Sequence, residues 1–108
     1  MERGEIWIVK LPEIADGHEQ QGTRPYLILA TAINVIVGIP LTTNTKALRF
    51  PHTFLVKPTK TNGLSSESVA LIFQIGAIDA IRFQKRIGVL EENHLKKLEE
   101  LLRGFLGL

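Results

Sequence analysis

An arginine, a carboxylate and several hydroxyls stand close together in the first half of this chain, in a pattern that suits a phosphate. Arg24 lies in Gly22-Thr23-Arg24-Pro25, and the hydroxyls of Thr42 and Thr43 lie in Pro40-Leu41-Thr42-Thr43-Asn44. A guanidinium offers planar, bidentate contact to phosphate and stays charged at any relevant pH. A threonine hydroxyl can donate to a phosphoryl oxygen or accept from a ribose 2′-hydroxyl. No acidic residue stands between Glu19 and Glu67, whereas Arg24, Lys46, Arg49, Lys57 and Lys60 all do. Each group also has a plainer local reading. Arg24 could pair with Glu19 or a carbonyl, and Thr42, Thr43 and Asn44 could bond their own backbone as turn residues.

Charge supports the phosphate reading only through its distribution. The chain has 108 residues and a net charge of +2, but the acid-free stretch carries +5 and the remainder −3. That asymmetry favours an anionic partner such as nucleic acid; a solvated surface of uneven charge is the alternative. The chain is 44% hydrophobic and 22% charged, so it can fold as one domain, 1–108, around a modest core that dimerisation would help. With no cysteine, disulfides and thiolate metal sites are excluded. The N-terminus lacks a signal-peptide layout and the longest apolar runs are too short to span a membrane, so the expected location is cytoplasmic.

The elements that must position these residues are short. Glu5 to Leu11 reads as a strand, ended by Pro12. Residues 12–24 read as a polar loop, with Gly22 allowing a tight bend and Arg24 at its exit into a strand that begins at Pro25. Val35 to Ile39 and His52 to Lys57 read as strands, with a loop from Thr42 to Pro51 between them. Pro58 to Ser66 contains the turn signal Asn62-Gly63. Ser68 to Ile75 reads as one further strand, Asp79 to Lys85 as a short helical turn and Arg86 to Leu90 as a last strand. From Glu91 on, Leu95, Leu98, Leu102 and Phe105 fall at helical spacing, with Glu92/Lys96 and Glu99/Arg103 as i,i+4 pairs. Gly104 and Gly107 are the expected stops. The pattern is mainly β: a small β-barrel with a C-terminal helix.

The run Gly17-His18-Glu19-Gln20-Gln21-Gly22-Thr23-Arg24-Pro25 resembles the Gly-x-Glu-Gln-x-Gly-x-Arg-Pro motif of the MazF/PemK toxins, sequence-selective endoribonucleases of type II toxin–antitoxin systems. Gly4-Glu5-Ile6-Trp7 resembles the opening strand of that family, and Pro40 to Asn44 its strand-end hydroxyl motif. Ser68-Val69-Ala70, with Gln74-Ile75 and Ile78-Asp79, resembles its later strand and turn. The resemblance extends over nearly the whole chain and implies an SH3-like barrel, a homodimer, a cognate antitoxin and cleavage of single-stranded RNA without metal or other cofactor. By match of position it makes Arg24 and Thr42 the catalytic pair. Glu19, the one carboxylate beside the arginine motif, is the candidate base. Gln20, Thr43, Asn44, Lys46 and Gln74 are the expected RNA contacts.

Two positions depart from the family pattern. Phe73 stands where some members carry a carboxylate, and Gly76 where many carry an arginine. These departures keep open a catalytically inactive RNA- or antitoxin-binding module, and the shared barrel keeps open a gyrase-targeting toxin. Arg82, Lys85 and Arg86 could replace the missing positive charge. His18 could assist proton transfer beside Glu19, while His52 and His94 read as a strand and a helix surface residue. Trp7 and Phe54 are expected in the core, and Phe73 near the substrate.

Overall fold

In the computed structural model, which describes residues 1–11 and 22–108, β-branched and aromatic runs form seven strands: β1 (Glu5–Lys10), β2 (Thr23–Ala32), β3 (Val35–Thr42), β4 (Thr53–Val56), β5 (Ser68–Leu71), β6 (Gly76–Asp79) and β7 (Phe83–Val89). All pair antiparallel, in the order β4-β5-β3-β2-β1-β7, with β6 also on β3. One helix, α1 (Glu92–Leu106), follows. This is the mainly β architecture with a terminal helix that the periodicity predicts. The ladder does not close into a complete ring among the described residues.

Alternation along β2 and β3 separates two faces. Leu27, Leu29, Ile39 and Leu41 point into the main core with Ile6, Val56, Ile72 and Leu98. The stripe of α1 covers this core: Leu98 is fully buried, and Leu95, Leu102 and Phe105 pack around it. Ile28 points the other way, into a smaller cluster with Val9, Ile36 and Phe83. Trp7 and Tyr26 pack against that cluster, and Phe54 against the main core, as their strand positions predict.

The connection after β4 spans the gap between the two ends of the strand path. Asn62 is completely buried there. Its Nδ2 donates to Lys57 O at 2.8 Å, and its Oδ1 accepts from the N–H groups of Thr59 and Leu64 at 3.0 Å each. Val89 N–H donates to Thr61 O at 2.9 Å, which ties the connection to β7. A Cβ at Gly63 would lie 1.9 Å from Ile87 O, and one at Gly88 would lie 2.3 Å from Asn62 C. Only glycines permit this approach of two backbones. Lys57 and Lys60 are exposed in this seam.

Several boundaries differ from the sequence expectation. The stretch Ser68 to Ile75 is not one strand. Against β3 its register jumps by three residues, from Leu41↔Ala70 to Gly38↔Gly76, and the surplus coils into the 3-10 helix Ile72–Gln74. The turn expected over Asp79 to Lys85 shrinks to the 3-10 helix Ala80–Arg82, because Val35–Gly38 recruits the residues before it as β6 and β1 recruits those after it as β7. Thr45–Arg49, inside the expected loop, forms a third 3-10 helix. Its Ala47 is buried against Val69 and Leu71. Gly104 lies within α1, which ends at Gly107. Glu99 pairs with Arg3 at 3.0 Å rather than with Arg103, since Arg3 is held in place by its Nε donating to Leu29 O at 2.9 Å. No helix among the described residues is long and apolar enough to cross a membrane.

Candidate nucleic-acid cleavage site

Arg24 is the second residue of β2, inside the strand rather than in the loop before it. Pro25 is tolerated as the third because β3 pairs only from Tyr26 onward, so residue 25 lies on a strand paired on one side. Tyr26 opposite Pro40 is the last paired position of β2 and β3 at this end, and Arg24 and Thr42 lie just beyond it, both lining one cleft. Arg24, Tyr26 and Ile28 alternate onto the face away from the main core. Gly22, at φ +101°, accepts from Leu11 N–H at 2.9 Å and brings the β1 and β2 ends together.

The result is an open cleft of about 330 Å³ lined by Leu11, Thr23, Arg24, Pro25, Leu41, Thr42 and Thr43. Three residues singled out from the sequence, Arg24, Thr42 and Thr43, therefore meet in one place. Arg24 and Thr42 are half-buried and Thr43 is exposed. Arg24 forms no ion pair with any described residue. Thr42 Oγ1 accepts from Asn44 N–H at 3.2 Å, so the local turn reading of Thr42 holds as well. A hydroxyl that accepts one N–H still has its own proton to donate. Asn44 is occupied as a cap: its Oδ1 accepts from Lys46 N–H at 3.1 Å.

The remaining expected residues are distributed around the cleft. Lys46 is exposed in the 3-10 helix Thr45–Arg49, and Gln74 is exposed at the end of Ile72–Gln74; neither lines the cleft. Glu19, Gln20 and His18 lie outside the described residues. His52 precedes β4, with its ring 4.8 Å from that of Phe105, and His94 meets the edge of Phe54 at 6.0 Å. Arg86 is engaged with Glu5 at 3.7 Å, so it is not free to replace a missing contact at position 76.

The sequence reading did not include a second cleft, about 310 Å³, that shares Leu11 with the first. Lys10, Tyr26, Asp79 and Arg82 line it among others. Burial pushes the Tyr26 hydroxyl above its ordinary pKa, against the opposing pull of the nearby Arg24 charge. Tyr26 therefore remains a neutral donor beside Arg24. No sequence spacing marks this cleft, because the β1–β2 register that sets Trp7 opposite Tyr26 and Val9 opposite Arg24 appears only on pairing.

Comparison with known proteins bears on the family and the fold. The family described as PemK-like, MazF-like toxin of type II toxin–antitoxin system matches residues 2–106. The chain is 57% identical over 42 residues to the endoribonuclease PemK of Escherichia coli, a match covering 38% of this chain and 31% of that protein. It is 27% identical over 113 aligned positions to the endoribonuclease EndoA of Bacillus subtilis (strain 168), covering 100% of this chain and 96% of EndoA. The fold superposes on MazF in a MazE–MazF crystal structure from Deinococcus radiodurans with a TM-score of 0.78 at 23% identity, over 100% of this chain and 96% of that one.

Proposed function

Since the chain belongs to the PemK-like, MazF-like toxin family of type II toxin–antitoxin systems, we propose that it is an endoribonuclease that cuts single-stranded RNA in the Arg24–Thr42 cleft. The observation that carries this reading is the meeting of Arg24 and Thr42 on one open face, reached from separate motifs. The names of its relatives PemK and EndoA support the activity. A cognate antitoxin and a second copy of the chain are the expected protein partners, in the cytoplasm where the RNA is.

The chemistry is the one that the family resemblance implies. The substrate's own 2′-oxygen attacks the adjacent phosphorus and forms the new P–O2′ bond, while the P–O5′ bond breaks. Glu19 takes the 2′-hydroxyl proton, and the departing 5′-oxygen takes a proton from solvent water. The products are a 2′,3′-cyclic phosphate and a 5′-hydroxyl end. Negative charge grows on the two non-bridging phosphoryl oxygens as the phosphorus becomes five-coordinate. Arg24, unpaired among the described residues, offers two parallel N–H donors there. Thr42, held by Asn44 N–H, donates its hydroxyl proton to the phosphate or the 2′-oxygen. No metal is invoked in these steps.

The test is purified protein with a long single-stranded RNA in EDTA, followed by end analysis. Discrete cuts ending in cyclic phosphate and 5′-hydroxyl are expected, and Arg24→Ala should remove them. Failure to cut at high protein concentration would overturn the nuclease reading and favour the binding module that Phe73 and Gly76 suggest.

A further inference from the structure

An open aromatic pair lies at the far end of the 3-10 helix that leads away from the cleft. Phe50 is 45% exposed and Phe73 37%. Their ring centroids are 6.1 Å apart at 62°, edge to face. With Pro51 they line an almost wholly apolar notch of about 200 Å³. The Arg49 guanidinium carbon sits 4.9 Å above the Phe50 ring.

The position of this pair is fixed by structure already described. Thr42 pairs with Val69, so the cleft and the outward residues of β5 share a face. The helix Thr45–Arg49 lies on that face, anchored by Ala47 on Val69 and Leu71. A hydrogen-bonded run joins cleft to helix, from Thr42 through Asn44 to Lys46, and Phe50 N–H donates to Ala47 O at the other end. Five residues of 3-10 helix span about 10 Å. Phe73 is presented by the surplus residues that coil out between β5 and β6. Cleft and notch are thus two ends of one rigid rim, a distance that a few nucleotides can bridge.

The surroundings select the occupant. The notch walls are carbon, so a ligand must bring a flat apolar surface. Arg49 stands at its rim, and no carboxylate occurs from residue 20 to residue 66, so a ligand that also carries negative charge suits it. A second copy packed on this patch about a twofold axis would set Arg49 near Arg49. An unpaired nucleobase with its phosphate meets both requirements: it stacks on aromatic rings and the phosphate reaches Arg49.

We propose that the Phe50–Phe73 notch, with Arg49 at its rim, is a stacking subsite for an unpaired base of single-stranded RNA, a few nucleotides from the cleaved phosphate. The proposal rests on the nuclease reading and deepens it, because it assigns part of the sequence choice to residues outside the Arg24–Thr42 cleft.

The test uses fluorescence anisotropy with a short fluorescein-labelled single-stranded RNA of mixed sequence. The protein carries Arg24→Ala so that the RNA stays intact. Adding Phe73→Ala or Phe50→Ala should weaken binding about tenfold or more, and Phe73→Trp should restore it. An abasic site at the stacked position should remove most of the difference that Phe73→Ala makes. In otherwise unmodified protein, Phe73→Ala should raise KM with kcat nearly unchanged and shift the preferred cut sites. Unchanged anisotropy and unchanged cut sites in both alanine variants would overturn the subsite while leaving the nuclease standing. Loss of peptide or antitoxin binding without loss of RNA binding would overturn it in favour of a protein-docking notch. If the unmodified protein cuts no RNA, the nuclease reading fails on its own, and the anisotropy still decides whether the notch holds a base.

Discussion

The seam around Asn62 and the cleft around Arg24 both place polar side chains near strand ends, yet only Asn62 has its polar groups engaged inside the protein. Asn62 is fully buried; its amide makes three bonds, and its own N–H donates to Thr59 Oγ1 at 3.0 Å. In the cleft, Thr42 accepts a single N–H and Arg24 makes no ion pair with a described residue. Burial explains the difference. A polar group removed from water must find partners inside the protein, whereas a half-exposed one can keep water until a ligand displaces it. Around Asn62 the satisfied polar groups specify the fold, and around Arg24 the half-exposed ones are available to a ligand.

Substitutions in the two regions should therefore separate activity from stability. Arg24→Ala has the largest expected effect on activity, a fall in turnover of about 10²–10³-fold. Its folding free energy should stay within about 0.5 kcal/mol of the parent. A large drop in Tm would instead make Arg24 structural. Asn62→Ala should do the reverse. It strands the Thr59 and Leu64 N–H groups and the Lys57 carbonyl, at a cost on the order of 3 kcal/mol. Tm should fall on the order of 10 °C, with cleavage per folded molecule unchanged. Calorimetry beside a cleavage assay reads both.

Thr42→Val removes the hydroxyl at nearly constant shape. It should slow cleavage by about 10²-fold, and Thr42→Ser should recover most of the rate. Equal rates for the two variants would reduce Thr42 to its turn bond with Asn44.

The smallest effect lies at the edge of the seam. A hydrogen bond from Thr59 lowers the Glu91 pKa below its ordinary 4.5, with the nearby His94 a lesser contributor. A hydrogen bond from Trp7 lowers that of Glu5 in the same way. A depressed carboxyl contributes stability that is complete above pH 4.5 and is lost as pH falls through the lowered value. Thr59→Val should accordingly be more destabilising at pH 7 than at pH 3, as read by denaturant titration. An equal penalty at both pH values would assign it to packing.

The cleft was largely legible in the sequence because its parts lie in short runs. Gly22 to Pro25 and Pro40 to Asn44 each carry their chemistry locally, and the strand pattern on either side points to a shared sheet. What joins them, the β2–β3 pairing that ends at Tyr26 opposite Pro40 and leaves Arg24 and Thr42 beside one cleft, depends on register and not on spacing. The seam was legible only as a turn. Asn62-Gly63 reads correctly as a turn signal, but its burial depends on Ile87 and Gly88, which lie more than twenty residues further along the chain. β6 escaped notice because its four residues, Gly76 to Asp79, begin with glycine and none of them is fully buried. The Phe50–Phe73 pair joins two 3-10 helices that no periodicity connects.

The central claim is that this cleft cuts RNA with the substrate's own 2′-hydroxyl. The direct measurement takes one mapped cut site and replaces its 2′-hydroxyl with hydrogen in an otherwise identical oligoribonucleotide. Cleavage should vanish at that phosphate and persist at unmodified sites in the same strand. Undiminished cutting at the deoxy position would contradict the account.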